Sequence, residues 1–72
     1  MKDTKWTVDL ENQTVESSDG WKFKFTHDKA HSAWDGECVR YPELEVSELA
    51  RVSAMKARQA GDAFREALGR AS

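Results

Sequence analysis

Apolar and polar residues alternate through residues 1–26. Trp6, Val8 and Leu10 are separated by Thr7 and Asp9, Val15 stands between Thr14 and Glu16, and Trp21, Phe23 and Phe25 are separated by Lys22 and Lys24. A period of two built from β-branched and aromatic residues marks strands with one buried face. Glu11-Asn12-Gln13 and Ser18-Asp19-Gly20 interrupt the pattern with turn-forming residues. Three antiparallel strands in a meander are predicted.

Parity tests the register, because a slip of one residue moves a whole apolar set to the wrong face. A three-residue loop at Ser18-Asp19-Gly20, with Gly20 left-handed, sets Ser17 opposite Trp21 and Val15 opposite Phe23. A two-residue turn would set Val15 against Lys24, so the longer loop with a glycine bulge is predicted. At the first turn, Leu10 opposite Val15 and Val8 opposite Ser17 bring every apolar side chain of the three strands to one face. The other face carries Asp9 and Glu16 beside Lys22 and Lys24, where opposite charges pair across strands.

Residues 27–37 show no clean period. Asp35-Gly36 reads as a turn, and Trp34 is the one large apolar side chain there. A loop or a one-turn helix is expected around 27–35. Residues 38–41, Cys-Val-Arg-Tyr, suit a short fourth strand that Pro42 would stop or confine to an edge.

From Glu43 the period becomes helical. Ser47 suits an N-cap, Glu48 the first turn, and Gly69 the position just past the last apolar residue. At about 100° per residue, Leu49, Val52, Ser53, Ala57, Ala60, Ala63, Phe64, Ala67 and Leu68 gather on one side. Lys56 intrudes on that side, where its stem can follow the core while the ammonium reaches water. Arg58 with Asp62, and Glu66 with Arg70, are spaced for exposed pairs. Gly61 lies on the flank, which predicts a continuous helix with a weak point there.

A helix over 48–68 would be about 31 Å long, whereas strands of ordinary length cover about 17–20 Å. Either the helix kinks at Gly61 and folds back, or its last turns bury themselves against another chain. Ala60, Ala63, Phe64, Ala67 and Leu68, with Trp34, are therefore the candidate interaction residues, and a homodimer is the simplest closed arrangement.

Composition narrows the class. The 72 residues include 11 Lys and Arg and 13 Asp and Glu, for a formal charge of −2, with 39% hydrophobic residues. These values suit one small globular domain, divided into a meander (1–26), a connecting segment (27–42) and a C-terminal helix (43–69). The lone Cys38 excludes an internal disulfide and fits a reducing compartment. No apolar run approaches the roughly 18 residues of a membrane span, and the first residues lack a secretory pattern. A cytoplasmic protein in the style of small bacterial accessory proteins is expected.

Candidate chemistry is sparse. His27, His31 and Cys38 offer two imidazoles and a thiolate to zinc, with Asp28, Asp35 or Glu37 to complete the set. The plainer reading is exposed loop histidines and an unrelated, partly buried thiol. A Cys38/His nucleophile would need a lowered thiol pKa and oxyanion donors, and no motif supplies the latter. Trp21-Lys22-Phe23-Lys24-Phe25 suggests base stacking with phosphate contacts, but in a strand Lys22 and Lys24 point away from the aromatics. Arg51, Arg58 and Arg65 recur every seven residues, with Glu48, Asp62 and Glu66 interleaved. Met55, projecting onto that polar helix face, is a further candidate partner patch when combined with Trp34.

The sequence thus predicts an α+β fold, a three- to four-stranded antiparallel meander (β-β-β-(β)-α) packed on one face by a long C-terminal helix. No enzyme and no cofactor are expected. The favoured function is a non-enzymatic protein-interaction or accessory module, homodimeric and without a membrane partner. The alternatives are a nucleic-acid-binding regulator using Lys22/Lys24 or the Arg51/Arg58/Arg65 stripe, and a metal-binding protein using His27, His31 and Cys38.

Overall fold

The computed structural model describes residues 4–71. Strands β1 (Trp6–Asp9), β2 (Thr14–Ser17), β3 (Lys22–Asp28) and β4 (Ala33–Arg40) precede a single helix, α1 (Val46–Ala71). The strands form one antiparallel sheet in the order β1-β2-β3-β4. The fold is the expected α+β arrangement, with the fourth strand present and longer than anticipated.

The β2–β3 connection follows the parity argument. Val15 pairs with Phe23, the Ser17 backbone N–H donates to the Trp21 carbonyl at 2.8 Å, and Gly20 has a φ of 105°. The Ser17 hydroxyl accepts from the Trp21 N–H at 2.8 Å and fixes the loop from inside.

The first turn differs. Val8 pairs with Val15 and Trp6 with Ser17, two residues from the expected register. The Asp9 carboxylate accepts from the Asn12 backbone at 3.2 Å and from the Asn12 side-chain amide at 2.7 Å, and Gln13 has a φ of 59°. These contacts hold a longer turn than the apolar pattern required. A slip of two leaves every side chain on its face, so Trp6, Val8, Leu10, Val15, Trp21, Phe23 and Phe25 all still join the core.

The largest correction concerns 27–41. No loop or one-turn helix fills 27–35, because β3 continues to Asp28 and β4 starts at Ala33. Asp28 makes the tight turn: its carboxylate accepts from the Ala30 N–H at 3.1 Å and contacts His31 Nδ1 at 2.7 Å, while Ser32 has a φ of 50°. Asp35 and Gly36, which read as a turn, sit mid-strand opposite Thr26 and Phe25. Phe25 explains the glycine. A Cβ at position 36 would lie 2.6 Å from Phe25 Cε2, so the ring occupies the space a side chain would need. The ladder is irregular where Phe23 pairs with Cys38 but Lys22 with Arg40, leaving Val39 as the extra residue of a bulge.

The helix runs unbroken through Gly61 and Gly69. It begins earlier than Ser47 would cap it. The Glu45 carbonyl accepts from Glu48 N at 3.0 Å and Leu49 N at 2.9 Å, so Glu45 holds the cap position and Ser47 lies in the first turn. Glu66 and Arg70 form the expected pair, whereas no Arg58–Asp62 pair forms among the described residues.

Among the described residues, six are buried: Val15, Trp21, Phe23 and Phe25 from the sheet side, and Ala60 and Phe64 from α1. Phe64 stacks on Phe25 with centroids 4.6 Å apart and planes 6° from parallel, and meets Trp34 edge-on at 5.1 Å. Leu49, Val52, Ala63 and Leu68 are half-buried against this cluster, so the apolar stripe lies on the chain's own sheet without a fold-back. The first turn overhangs it, leaving Val46 86% exposed.

Candidate functional site

Lys56 does not reach water as its position on the apolar stripe suggested. Its ammonium lies 2.9 Å from Asp19 Oδ2 and donates to Thr4 Oγ1 at 3.0 Å, with only 12% of the side chain exposed. Burial pushes the Asp19 carboxyl up, but the Ser17 hydroxyl and the Lys56 ammonium outweigh it and hold it below the usual 3.8. A depressed carboxyl stabilises the fold above its unfolded value, and that stabilisation is lost as pH falls through the folded value. Lys56→Met keeps the stem and removes the ammonium. It should cost about 1 kcal/mol at neutral pH, after discounting for the exposure of Asp19, and in urea titrations the gap should narrow as pH falls through the lowered range of the Asp19 carboxyl. A gap that persists into acid would remove Asp19 as its origin.

The metal candidates do not converge. His27 packs against Trp34, its cross-strand partner, with ring centroids 4.8 Å apart and planes tilted by 38°, and His31 pairs with Asp28 at the hairpin tip. Cys38 is four residues beyond Trp34 along β4, roughly 13 Å away at strand spacing. Among the described residues, no group of three or more His, Cys, Asp or Glu side chains is placed to hold a metal ion.

Cys38 also lacks the setting of a nucleophile. It faces the helix side of the sheet with Phe23, while the bulge turns Arg40 to the opposite face beside Glu16, 2.6 Å away. Desolvation pushes the Cys38 thiol above its ordinary value, partly countered by a bond to the Arg40 carbonyl. An activated thiolate needs the reverse shift.

The nucleic-acid candidates are divided by the fold. Trp21, Phe23 and Phe25 are buried and offer no stacking platform. Lys22 lies between Glu16 and Arg40, and Lys24 is opposite Glu37, so charge is mixed on the open face. Arg51, Arg58 and Arg65 are exposed with Glu48, Asp62 and Glu66 exposed among them.

Of the expected interaction residues, Ala60 and Phe64 are interior, and Ala63, Ala67, Leu68 and Trp34 are half-buried. The stripe that suggested a homodimer packs partly on its own sheet, through Ala60 and Phe64, and leaves Ala63, Ala67 and Leu68 half-buried. Met55 is nine residues from Phe64, about 180° round the helix. Because Phe64 touches Trp34, Met55 faces the other way and makes no common patch with it. A groove of about 390 Å³ lies between β1 and the end of α1, lined by Trp6, Val8, Ala63, Glu66, Ala67 and Arg70.

The surface that sequence reasoning saw only in part, at 38–41, is β4. It is the longest strand and an edge of the sheet, and every residue but Trp34 is exposed. Among the described residues its only backbone ladder is with β3. Val39 is 54% exposed, and Tyr41, just beyond the strand, is 53% exposed. The opposite edge, β1, has only four residues. A long unpaired edge presents a row of outward N–H and C=O groups to an incoming chain.

No protein family, curated protein or solved structure matches the chain. No helix among the described residues is long and apolar enough to cross a membrane.

Proposed function

We propose that the chain is a non-enzymatic protein-interaction module, an accessory or regulatory domain of the cytoplasm that engages another protein through the free edge of β4. The exposed eight-residue edge strand carries this reading. Strand addition draws affinity from main-chain bonds and specificity from alternate side chains, so it needs no pocket in a domain this small. The core supports the reading from behind. Phe25 crosses from β3 to cover Gly36 in β4 and rests on Phe64, which stiffens the edge as a template.

Photo-crosslinking tests it. With benzoylphenylalanine in place of Val39, irradiation in an extract of the source cells should give one dominant adduct. Unlabelled chain should compete it away, and mass spectrometry should place the linkage in an extended segment of the partner. The same group in place of Arg58, on exposed helix surface, should not give that adduct. Identical adducts from both positions, or none from Val39, would sink the reading.

A further inference from the structure

The side chains of β4 state what kind of strand its edge accepts. The register puts Trp34, Gly36 and Cys38 on the face shared with Phe23, Phe25 and His27, and Asp35 and Glu37 on the open face. Other strand acids are engaged: Asp9 with Asn12, Glu16 with Arg40, Asp28 with His31. Among the described residues, Asp35 and Glu37 form neither an ion pair nor a side-chain hydrogen bond. Two unpartnered carboxylates thus stand two residues apart on an unpaired edge, with a bare glycine between them.

A second copy of this chain is disfavoured in the central registers of this edge. When two identical edges meet antiparallel about a twofold axis, residues directly opposite share a face, so the pairing centres on one residue. Centring on Gly36 sets Asp35 against Glu37 twice. Centring on either acid sets it against itself. Like charges directly opposite are destabilising, so the three registers centred on residues 35–37 are opposed.

The inner edge shows what does fit. There β3 sets Lys24, Phe25 and Thr26 opposite Glu37, Gly36 and Asp35, a basic residue followed by an apolar one that fills the space over the glycine. From this geometry, and resting on the interaction reading above, we infer that the outer edge of β4 takes an extended segment of a partner protein with Lys or Arg opposite both Asp35 and Glu37. The single residue between them is apolar and lies on the helix side, over Gly36.

The probe is a short end-blocked peptide alternating lysine with valine, compared with a twin alternating glutamate with valine, each titrated into the full chain and followed by backbone amide shifts. The lysine peptide should move residues 33–40 and bind about tenfold more tightly than its twin, the sum of attraction and repulsion at two cross-strand sites. Methylating alternate peptide nitrogens should abolish binding in one of the two phases. The double variant Asp35→Lys/Glu37→Lys should prefer the glutamate peptide, and the neutral pair Asp35→Asn/Glu37→Gln, which keeps side-chain size, should show no preference. Equal binding of both peptides, shifts outside β4, or an unaltered preference in the double variant would overturn the inference. So would no binding of the lysine peptide together with self-association of the neutral variant, which would make the acids a device for keeping copies apart. A Val39 adduct without lysine preference overturns the partner chemistry and leaves the interaction module standing, whereas loss of the adduct as well removes both.

Discussion

Phe64→Ala should leave the chain without a cooperative fold at room temperature. Phe64 is 1% exposed and held on two sides, stacked on Phe25 at 4.6 Å and edge-on to Trp34 at 5.1 Å. Removing a buried phenylalanine costs about 3–5 kcal/mol, and a domain below about 70–80 residues holds about 3–5 kcal/mol in all. The loss therefore matches the whole net stability. The helix has little independent reason to persist, since most helical stability in proteins comes from packing of the apolar face. Circular dichroism should show a collapsed helical signal and no sigmoidal melt, while Phe64→Leu, which keeps most of the apolar volume, should melt cooperatively at a lower temperature. A Phe64→Ala protein melting within a few degrees of the parent would mean that the Phe25–Phe64 contact is not where the fold is held.

Gly36→Ala should destabilise the chain by about 1–3 kcal/mol, the usual cost of overpacking. Mid-strand this change ordinarily helps, because glycine surrenders more backbone freedom than alanine, by about 0.5–1 kcal/mol. Here the sign reverses. The added methyl would sit 2.6 Å from Phe25 Cε2 and 3.1 Å from its Cζ, and the ring cannot swing away without leaving its stack on Phe64. Urea denaturation should show a lower midpoint with an unchanged slope. Combining it with Phe25→Leu should cost less than the two single changes added together, since both act on one space. A stabilised Gly36→Ala would show that the ring yields freely.

Both effects depend on Phe25, and the sequence revealed only part of its role. Its alternation with Lys24 placed it on the buried face, and parity tied Val15 to Phe23, because these follow from a period of two and need no knowledge of turns. The first-turn register was hidden for the same reason, since a shift of two residues leaves parity unchanged and only the Asp9–Asn12 bonds decide it. The first half of strand β4 was hidden because its helix-side positions are Trp34, Gly36 and Cys38, which hold one large apolar residue among them. Asp35-Gly36 carries turn chemistry in a place where an aromatic ring from the neighbouring strand replaces the missing side chain. Only its end, residues 38–41, reads as a strand in the sequence, so the length of the edge does not show there. Lys56 was recognised as a misfit on the apolar stripe, but Asp19 and Thr4 are far from it in sequence and no local pattern joins them.

The order of the strands also bears on how quickly the fold is made. Each strand pairs with the one before it in the chain, and the connections are short, so closing each loop costs little entropy and no pairing waits for a distant segment. Hairpins form in about 1–10 μs and helices faster still. The helix, however, is the last element in the chain, and it alone covers the aromatic face. Until Phe64 arrives, Trp21, Phe23 and Phe25 lie bare on a sheet already able to assemble, so the speed of that final docking sets how long the chain is most prone to stick to its neighbours.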